Sequence, residues 1–255
     1  MTANTANTAN ATNADPILDA RHLDLHYGKI QVLFDVSIAV ARGEFLALLG
    51  TNGAGKSTFL KAVSNLSGLT SGTVAFEGQD ITGLAPDAIA ARGLAHVPGG
   101  RGNLPDLSVE ENLRLGGHLL RHDKAKRNEG IERAMAIFPW MRERRRQLAG
   151  TLSGGEQQML AIARALVLRP SMLMVDELSL GLAPIIVEEL MGILRQLNDD
   201  GITVLVVEQH ATLAMEVADR VLFMEKGQVR FSGSGRELLG RDDLLRSVVL
   251  GAGAT

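Results

Sequence analysis

The octet Gly50-Thr51-Asn52-Gly53-Ala54-Gly55-Lys56-Ser57 constrains this chain more than any other feature. It fits G-x-x-x-x-G-K-[ST], a loop whose glycines let successive backbone N–H groups converge on phosphate oxygens. Lys56 adds a point charge near the β and γ phosphates, and the Ser57 hydroxyl can ligate Mg²⁺. The pattern carries meaning only between a strand and a helix, and both flanks comply. Phe45 to Leu49 is a continuous apolar run, as a strand buried on both faces reads. Residues 56–66, with Thr58 in the first turn, read as a helix whose positive end faces the same anion. At average composition such an octet arises by chance in about one chain of this length in a hundred.

Composition bounds the rest. The chain has 255 residues, 45% hydrophobic and 22% charged, with net charge −3. That suits one large core or two modest ones and excludes a disordered protein. A slightly acidic chain with 4% aromatic residues is a poor nucleic-acid binder. The absence of Cys removes disulfides, thiolate metal sites and thiol nucleophiles. No stretch approaches the roughly 18 apolar residues of a membrane-spanning helix. Met1 to Asp15 lacks the features of a secretory signal. The expectation is a soluble protein of a reducing compartment. Gly is abundant, at 28 residues, as expected of an α/β chain with tight phosphate-facing turns.

Organisation follows from periodicity. Residues 2–10 repeat Thr-Ala-Asn, without a large apolar side chain, so residues 1–15 are expected to be a disordered tail. Leu23, Leu25 and Tyr27 alternate, as do Val36, Ile38 and Val40, which predicts an antiparallel pair. Val74 to Phe76 predicts a strand, and Glu77 to Asp80 a turn. Residues 86–150 are expected to be a mainly helical insertion. Ser108 and Glu111 form a capping box ahead of a helix carrying Leu113, Leu115, Leu119 and Leu120. A second helix there carries Ile131, Met135 and Phe138, and Arg142, Arg144, Arg145 and Arg146 make a basic run. Beyond the insertion, a helix from Gly154, buried strands at Met172–Val175 and Ile202–Val207, and a helix at 187–197 alternate. Such alternation predicts right-handed parallel crossovers. Residues 221–231 read as an antiparallel pair turning at Lys226-Gly227.

Two further segments carry chemistry. Asp176-Glu177 ends a buried strand, where an acidic residue beside a phosphate loop can hold Mg²⁺ and the next carboxylate can orient or deprotonate water. Without the loop, the pair would read as a solvated turn. Leu152-Ser153-Gly154-Gly155-Glu156-Gln157-Gln158 is a small-residue turn feeding a helix N-terminus. It can bind an anion, and it can simply cap its own helix through Ser153 and Glu156. Both readings can hold together.

These segments, in this order and with His210 after the third buried strand, resemble the ATP-binding subunit of an ABC transporter over roughly residues 17–240. The signature Leu-Ser-Gly-Gly-Glu and the loop Ser179-Leu-Gly-Leu-Ala-Pro184 are similar to ATPases of branched-chain amino acid importers and of related urea and amide importers. The resemblance implies an α/β fold: a P-loop NTPase core with a mainly parallel sheet, an antiparallel β subdomain and an inserted helical subdomain. Residues 16–255 would then form a single ABC ATPase domain. Residues 16–85 and 151–240 would be the core, 86–150 the helical subdomain and 241–255 a C-terminal helix or tail.

The resemblance also implies an assembly and a chemistry. Two ATPase subunits, alike or different, stack head to tail, each ATP lying between one subunit's phosphate loop and the other's signature. Gly50 through Thr58 would hold ATP with Mg²⁺ on Ser57 and Asp176, and Tyr27, the sole Tyr, would stack on adenine. Ser153, Gly154, Gly155 and Glu156 would face the partner's nucleotide. Glu177 would be the general base and His210 the switch residue at the γ-phosphate. Two permease subunits would dock on the helical insertion, served by an extracytoplasmic solute-binding protein. The chain itself would sit peripherally on the cytoplasmic face of the inner or plasma membrane. The Arg142–Arg146 run could add to the permease contact, although a solvated, salt-screened face suits it better.

Three positions depart from the family pattern. Gly99 stands where members carry Gln, or Glu in this subgroup, so nucleotide binding is expected to survive with weaker coupling. Leu178 replaces a Pro after the catalytic Glu, with a small expected effect on rate. The loop 179–182 lacks the usual Asp, as this importer subgroup does. Two other readings compete. One is a soluble ABC ATPase acting on nucleic acid or the ribosome, which the single cassette and acidic charge disfavour. The other is a regulatory subunit that binds ATP but hydrolyses it weakly, which Gly99 and Leu178 favour.

Overall fold

The computed structural model describes residues 15–100, 102–208 and 211–240. The expected tail at 1–15 therefore lies outside the described residues except for Asp15, as do the expected C-terminal helix or tail at 241–255 and His210.

Ten strands and nine α-helices are described. β1 (Leu18–Tyr27) and β2 (Ile30–Val40) form the expected hairpin, and β3 (Phe45–Gly50) runs into the phosphate loop and α1 (Lys56–Val63). β4 (Ser71–Phe76), the two-residue β5 (Gln79–Asp80), α2 (Pro86–Ala91) and β6 (Leu94–Val97) follow. Next come α3 (Val109–Gly116), α4 (Lys124–Ile137), α5 (Trp140–Glu143) and α6 (Gly154–Leu166). The described residues end with β7 (Met172–Asp176), α7 (Pro184–Asp199), β8 (Thr203–Glu208), α8 (Ala211–Val217), β9 (Arg220–Glu225), β10 (Gln228–Gly233) and α9 (Gly235–Leu239).

The strands make two sheets. One is antiparallel, in the order β2-β1-β4-β5. The other has the order β10-β9-β3-β8-β7-β6, parallel except for the edge strand β10. Strands alternate between two cores because successive side chains leave a pleat on opposite faces. Phe45, Ala47 and Leu49 of β3 join Leu160, Leu190, Leu194 and Met135 from α6, α7 and α4. Their neighbours Leu46 and Leu48 join Phe59 and Leu60 of α1 with Leu23, Leu25, Val36 and Ile38 of the antiparallel sheet. The helix after the phosphate loop is thus wedged between the sheets. Each fully buried Leu or Phe contributes about 1.5–3 kcal/mol to holding it there.

Local details differ from the sequence pattern. Glu77-Gly78 makes the turn, but Gln79 and Asp80 already pair with Phe76 and Ala75 as β5. The capping box at Ser108 and Glu111 is present, yet its helix ends at Gly116, and Leu119 and Leu120 fall in a separate 3₁₀ turn. Most consequentially, β6 lies within the stretch expected to be helical insertion and forms the edge of the parallel sheet against β7. Its four residues are too few to show a period, so the pattern of the helices beyond masked it. The pair at 221–231 forms as expected, and β9 also lies parallel beside β3.

Candidate functional site

The phosphate loop leaves β3 at Gly50, whose φ of 151° lies outside the range most side chains adopt. A Cβ there would sit 2.1 Å from the carbonyl oxygen of Met224 on β9, so only Gly lets the sheet close against the loop. The Gly227 N–H of the β9–β10 turn donates to the Ala54 carbonyl, fixing the loop from its other side. Gly55 caps α1 in a left-handed conformation and provides no side-chain cap. The first-turn amides of Lys56, Ser57 and Thr58 therefore stay available to an anion at the positive end of the helix. Thr51 is half-buried, and Asn52 and Gly53 are exposed at the mouth of the loop.

Lys56 is only 4% exposed. Its Nζ donates to the carbonyls of Gly50 and Thr51 at 2.8 and 3.0 Å, folding the ammonium back over the loop. Burial lowers its pKa, while Glu177, Asp176 and Glu208 pull the other way. The Ser57 hydroxyl donates to Asp176 Oδ1 at 2.9 Å. Burial raises the Asp176 pKa; the Ser57 hydrogen bond opposes that rise, and the like charge of Glu177 adds to it. A hydroxyl and a carboxylate within bonding reach form a hard-oxygen pair of the kind Mg²⁺ takes when phosphate oxygens complete its shell. Among the described residues there is no cluster of three or more His, Cys, Asp or Glu able to hold a metal alone.

Glu177 follows Asp176 with a φ of 47°, left-handed for a non-glycine residue. Such a residue costs about 1–2 kcal/mol. Its N–H donates to the Val207 carbonyl of β8, which holds the bend. Next to it, Ser179 donates from its backbone N–H and its hydroxyl to the fully buried Glu208 at 3.0 and 2.6 Å. The loop after Glu177 is thereby tied to the end of β8.

The second candidate cradle is also formed. Ser153 caps α6, accepting the Glu156 N–H on its Oγ while Glu156 Oε2 accepts the Ser153 N–H at 2.9 Å. Capping pairs the Ser153 side chain with both the Glu156 N–H and the Glu156 carboxylate. The amides of Gly154 and Gly155, in the first turn of a 13-residue helix, have no helical acceptor. They face a cavity of about 530 Å³ that Trp140, Leu182, Ile186 and Glu189 also line. Capping and anion binding are thus compatible at one turn.

Comparison with known proteins places this geometry. Residues 33–179 match the family model described as ABC transporter. The chain belongs to the ABC transporter family. This cassette is 45% identical over 214 residues to the high-affinity branched-chain amino acid transport ATP-binding protein BraG of Pseudomonas aeruginosa, covering 84% of this chain and 91% of that one. It is 38% identical to the probable branched-chain amino acid transport ATP-binding protein LivF of Archaeoglobus fulgidus, covering 85% and 92%. Among solved structures, an ATP-binding cassette of an ABC transporter in its ADP conformation superposes with a TM-score of 0.82 at 25% identity, covering 92% of this chain and 99% of that one. A dimeric cassette bound to ADP and Pi superposes at 0.75 with 26% identity, covering 86% and 99%. The chain is an ATP-binding ATPase of the ABC transporter class.

The remaining expected residues are placed unevenly around the cassette. Tyr27 ends β1 at 46% exposure, its hydroxyl bonded to Ser67 Oγ at 3.1 Å, with its ring open to solvent. His210 falls outside the described residues. Leu178, at the family's Pro position, is buried in the core under the helices. In the basic run, Arg142 pairs with Glu132, Arg144 with Glu156, and Arg145 with Glu110 and Glu132. Arg144 also lies over the Trp140 ring. These three cations bind the helical part to itself and to the signature turn.

Sequence reasoning gave no role to Glu208, Ser179 or Gln158. Glu208 left a signal, an acidic residue ending a buried strand next to the one that ends in Asp176. Ser179 left none, because its bonds to Glu208 exist only once β7 and β8 pair, and Gln158 left none, because its burial depends on how α6 packs.

Proposed function

We propose that this chain hydrolyses MgATP to power an importer for branched-chain amino acids, working as one of two cassettes beneath a pair of permease subunits fed by a solute-binding protein. The observation that carries the catalytic reading is the convergence of Lys56, Ser57, Asp176 and Glu177 at the C-terminal ends of β3 and β7. In open α/β sheets ligands bind at that edge. The substrate reading rests on likeness to BraG and LivF, both named as branched-chain amino acid transport ATP-binding proteins.

In this reading Gly50 to Thr58 cradle the phosphates, with Lys56 turning its ammonium from its own loop carbonyls to the β and γ oxygens. Ser57 and Asp176 would hold Mg²⁺, which when bound neutralises charge on the phosphates. Glu177 takes a proton from the water that attacks the γ-phosphorus, as the bond to the ADP oxygen breaks. Tyr27 offers its open face to adenine, and His210 meets the γ-phosphate. A second cassette, like or unlike this one, presents Ser153, Gly154, Gly155 and Glu156 to the same nucleotide. No helix among the described residues is long and apolar enough to cross a membrane. A peripheral seat on the cytoplasmic side of the inner membrane fits that finding and the carrier role.

Uptake of radiolabelled leucine, isoleucine and valine tests the reading. Cells lacking this chain should lose high-affinity uptake, regain it with the unaltered chain, and not regain it with Glu177→Gln. Undiminished uptake without the chain would refute the substrate class.

A further inference from the structure

Glu177 keeps a left-handed φ of 47°, a conformation that persists only where the surroundings hold it. The next residue does not hold it: Leu178 leaves φ free where a Pro would lock it. Position 99 does not either. A Cβ there would stand 3.4 Å from both Glu177 Cβ and Glu177 Oε2, but the residue is glycine.

The hold comes from two consecutive residues of β8. The Val207 carbonyl accepts the Glu177 N–H at 3.0 Å. Two residues past Glu177, the Ser179 N–H donates to Glu208 Oε1 at 3.0 Å and the Ser179 hydroxyl donates to Glu208 Oε2 at 2.6 Å. Leu178, between these attachments, is buried in the core. β8 is an interior strand, with Val207 opposite Asp176 of β7 and Glu208 opposite Leu49 of β3. The anchor is therefore fixed from both sides. Glu208 is fully buried. A carboxylate taken out of water is costly unless its oxygens are bonded, and an apolar residue would suit the strand better on stability alone. The bonds to Ser179 supply a reason for an acid here, since one side chain has to accept from two donors of the loop at once.

We propose that Glu208 is a positioning residue for Glu177. It grips the loop two residues past the base, so that 177–179 is held at both ends and the Glu177 side chain leaves the sheet in one direction. This rests on the reading of Glu177 as general base. Glu208 acts through the Ser179 backbone and hydroxyl, so its loss lowers turnover without lowering ATP affinity. Its charge also favours the Lys56 ammonium, and the experiment separates the two effects.

The test uses the full-length chain at concentrations where two copies pair, with MgATP, below the melting temperature of every variant. Glu208→Met removes both acceptor oxygens at similar volume. Turnover should fall at least about fivefold, with KM for ATP within about twofold. Glu208→Gln loses the charge and keeps the grip: its amide oxygen accepts the Ser179 N–H, and its N–H₂ donates to the Ser179 hydroxyl, which turns to accept. It should recover most of the rate lost in Glu208→Met. A smaller fall in Glu208→Met overturns the proposal. So does an equal fall in Glu208→Gln, which would make the charge beside Lys56 the active feature. If Glu208→Met does not fold, Ser179→Ala carries the test. It removes the hydroxyl bond and keeps the amide bond, and turnover should fall at least about threefold at unchanged KM; a smaller fall overturns the proposal. Glu177→Gln separates the two readings. If it turns over normally, the general-base assignment fails. If it is inactive while Glu208→Met is fully active, only the positioning role fails.

Discussion

Ser57 and Asp176 stand 119 positions apart in sequence, and the hydroxyl of one donates to Oδ1 of the other at 2.9 Å. The bond joins the first turn of α1 to the end of β7, two elements distant in sequence that the fold packs against each other. It pre-orients two oxygens toward one point. Asp176→Asn should therefore cut MgATP turnover at least ~100-fold. It should also flatten the Mg²⁺ dependence of nucleotide binding, read by calorimetry with and without the metal. Ser57→Ala should weaken that dependence less, because only the neutral ligand is lost. An unchanged metal dependence in Asp176→Asn would remove Asp176 from the metal site.

Glu177→Gln keeps the shape of the side chain and removes its basicity. Hydrolysis should drop by about 10²–10⁴, while ATP still binds and paired cassettes accumulate on a sizing column. The Val207 carbonyl that holds the Glu177 bend accepts a backbone N–H, so the substitution leaves the fold intact. Wild-type turnover in this variant would move the base elsewhere.

Lys56 shows stability and function pulling apart. A buried ammonium whose pKa is pushed down by burial is a cost to the fold. Lys56→Met should leave the melting temperature unchanged or raise it, while ATP affinity falls more than ~10-fold. A fluorescent ATP analogue and a thermal melt read the two effects side by side. A variant that melts markedly lower would show that the three neighbouring carboxylates more than offset the burial.

His96 sets a pH dependence. Burial, reinforced by Lys61, lowers its pKa to about 4, and Ser64 Oγ engages its Nδ1 at 2.9 Å. The unfolded chain takes up the proton near 6.5, the folded chain only near 4, so the unfolded state binds more protons between those values. The stability of neutral His96 is therefore fully present above about pH 6.5 and is lost as pH falls toward 4, by a few kcal/mol at most. His96→Gln should melt with a shallower pH slope over that window than the unaltered chain. Parallel slopes would mean that His96 protonates without unfolding cost.

The phosphate loop, its strand and its helix were legible because each is specified by neighbours in sequence: an apolar run, then glycines, then a helical start. Ser153 with Glu156 and Ser108 with Glu111 were legible for the same reason, since a capping box closes within four residues. β6 was not, because four residues carry no period and its partner β7 lies far along the chain. Arg142, Arg144 and Arg145 read as a basic surface, yet their carboxylate partners are Glu132 and Glu110 on other helices of the same part and Glu156 at the start of α6.

The sequence by itself determined the chemistry on offer: a loop that binds phosphate, a hydroxyl and an acid for Mg²⁺, a second acid for water, a second cradle at a helix start. Only the tertiary structure decided which of these meet. Parallel pairing of β3, β8 and β7 brings the ends of three strands to one edge, and that sets Lys56, Ser57, Asp176, Glu177 and Glu208 together. It also decided that Gly99 faces Glu177 at van der Waals distance. Local sequence encodes dihedral preference and hydrophobic period. The distance between side chains a hundred residues apart is set by how sheets and helices pack.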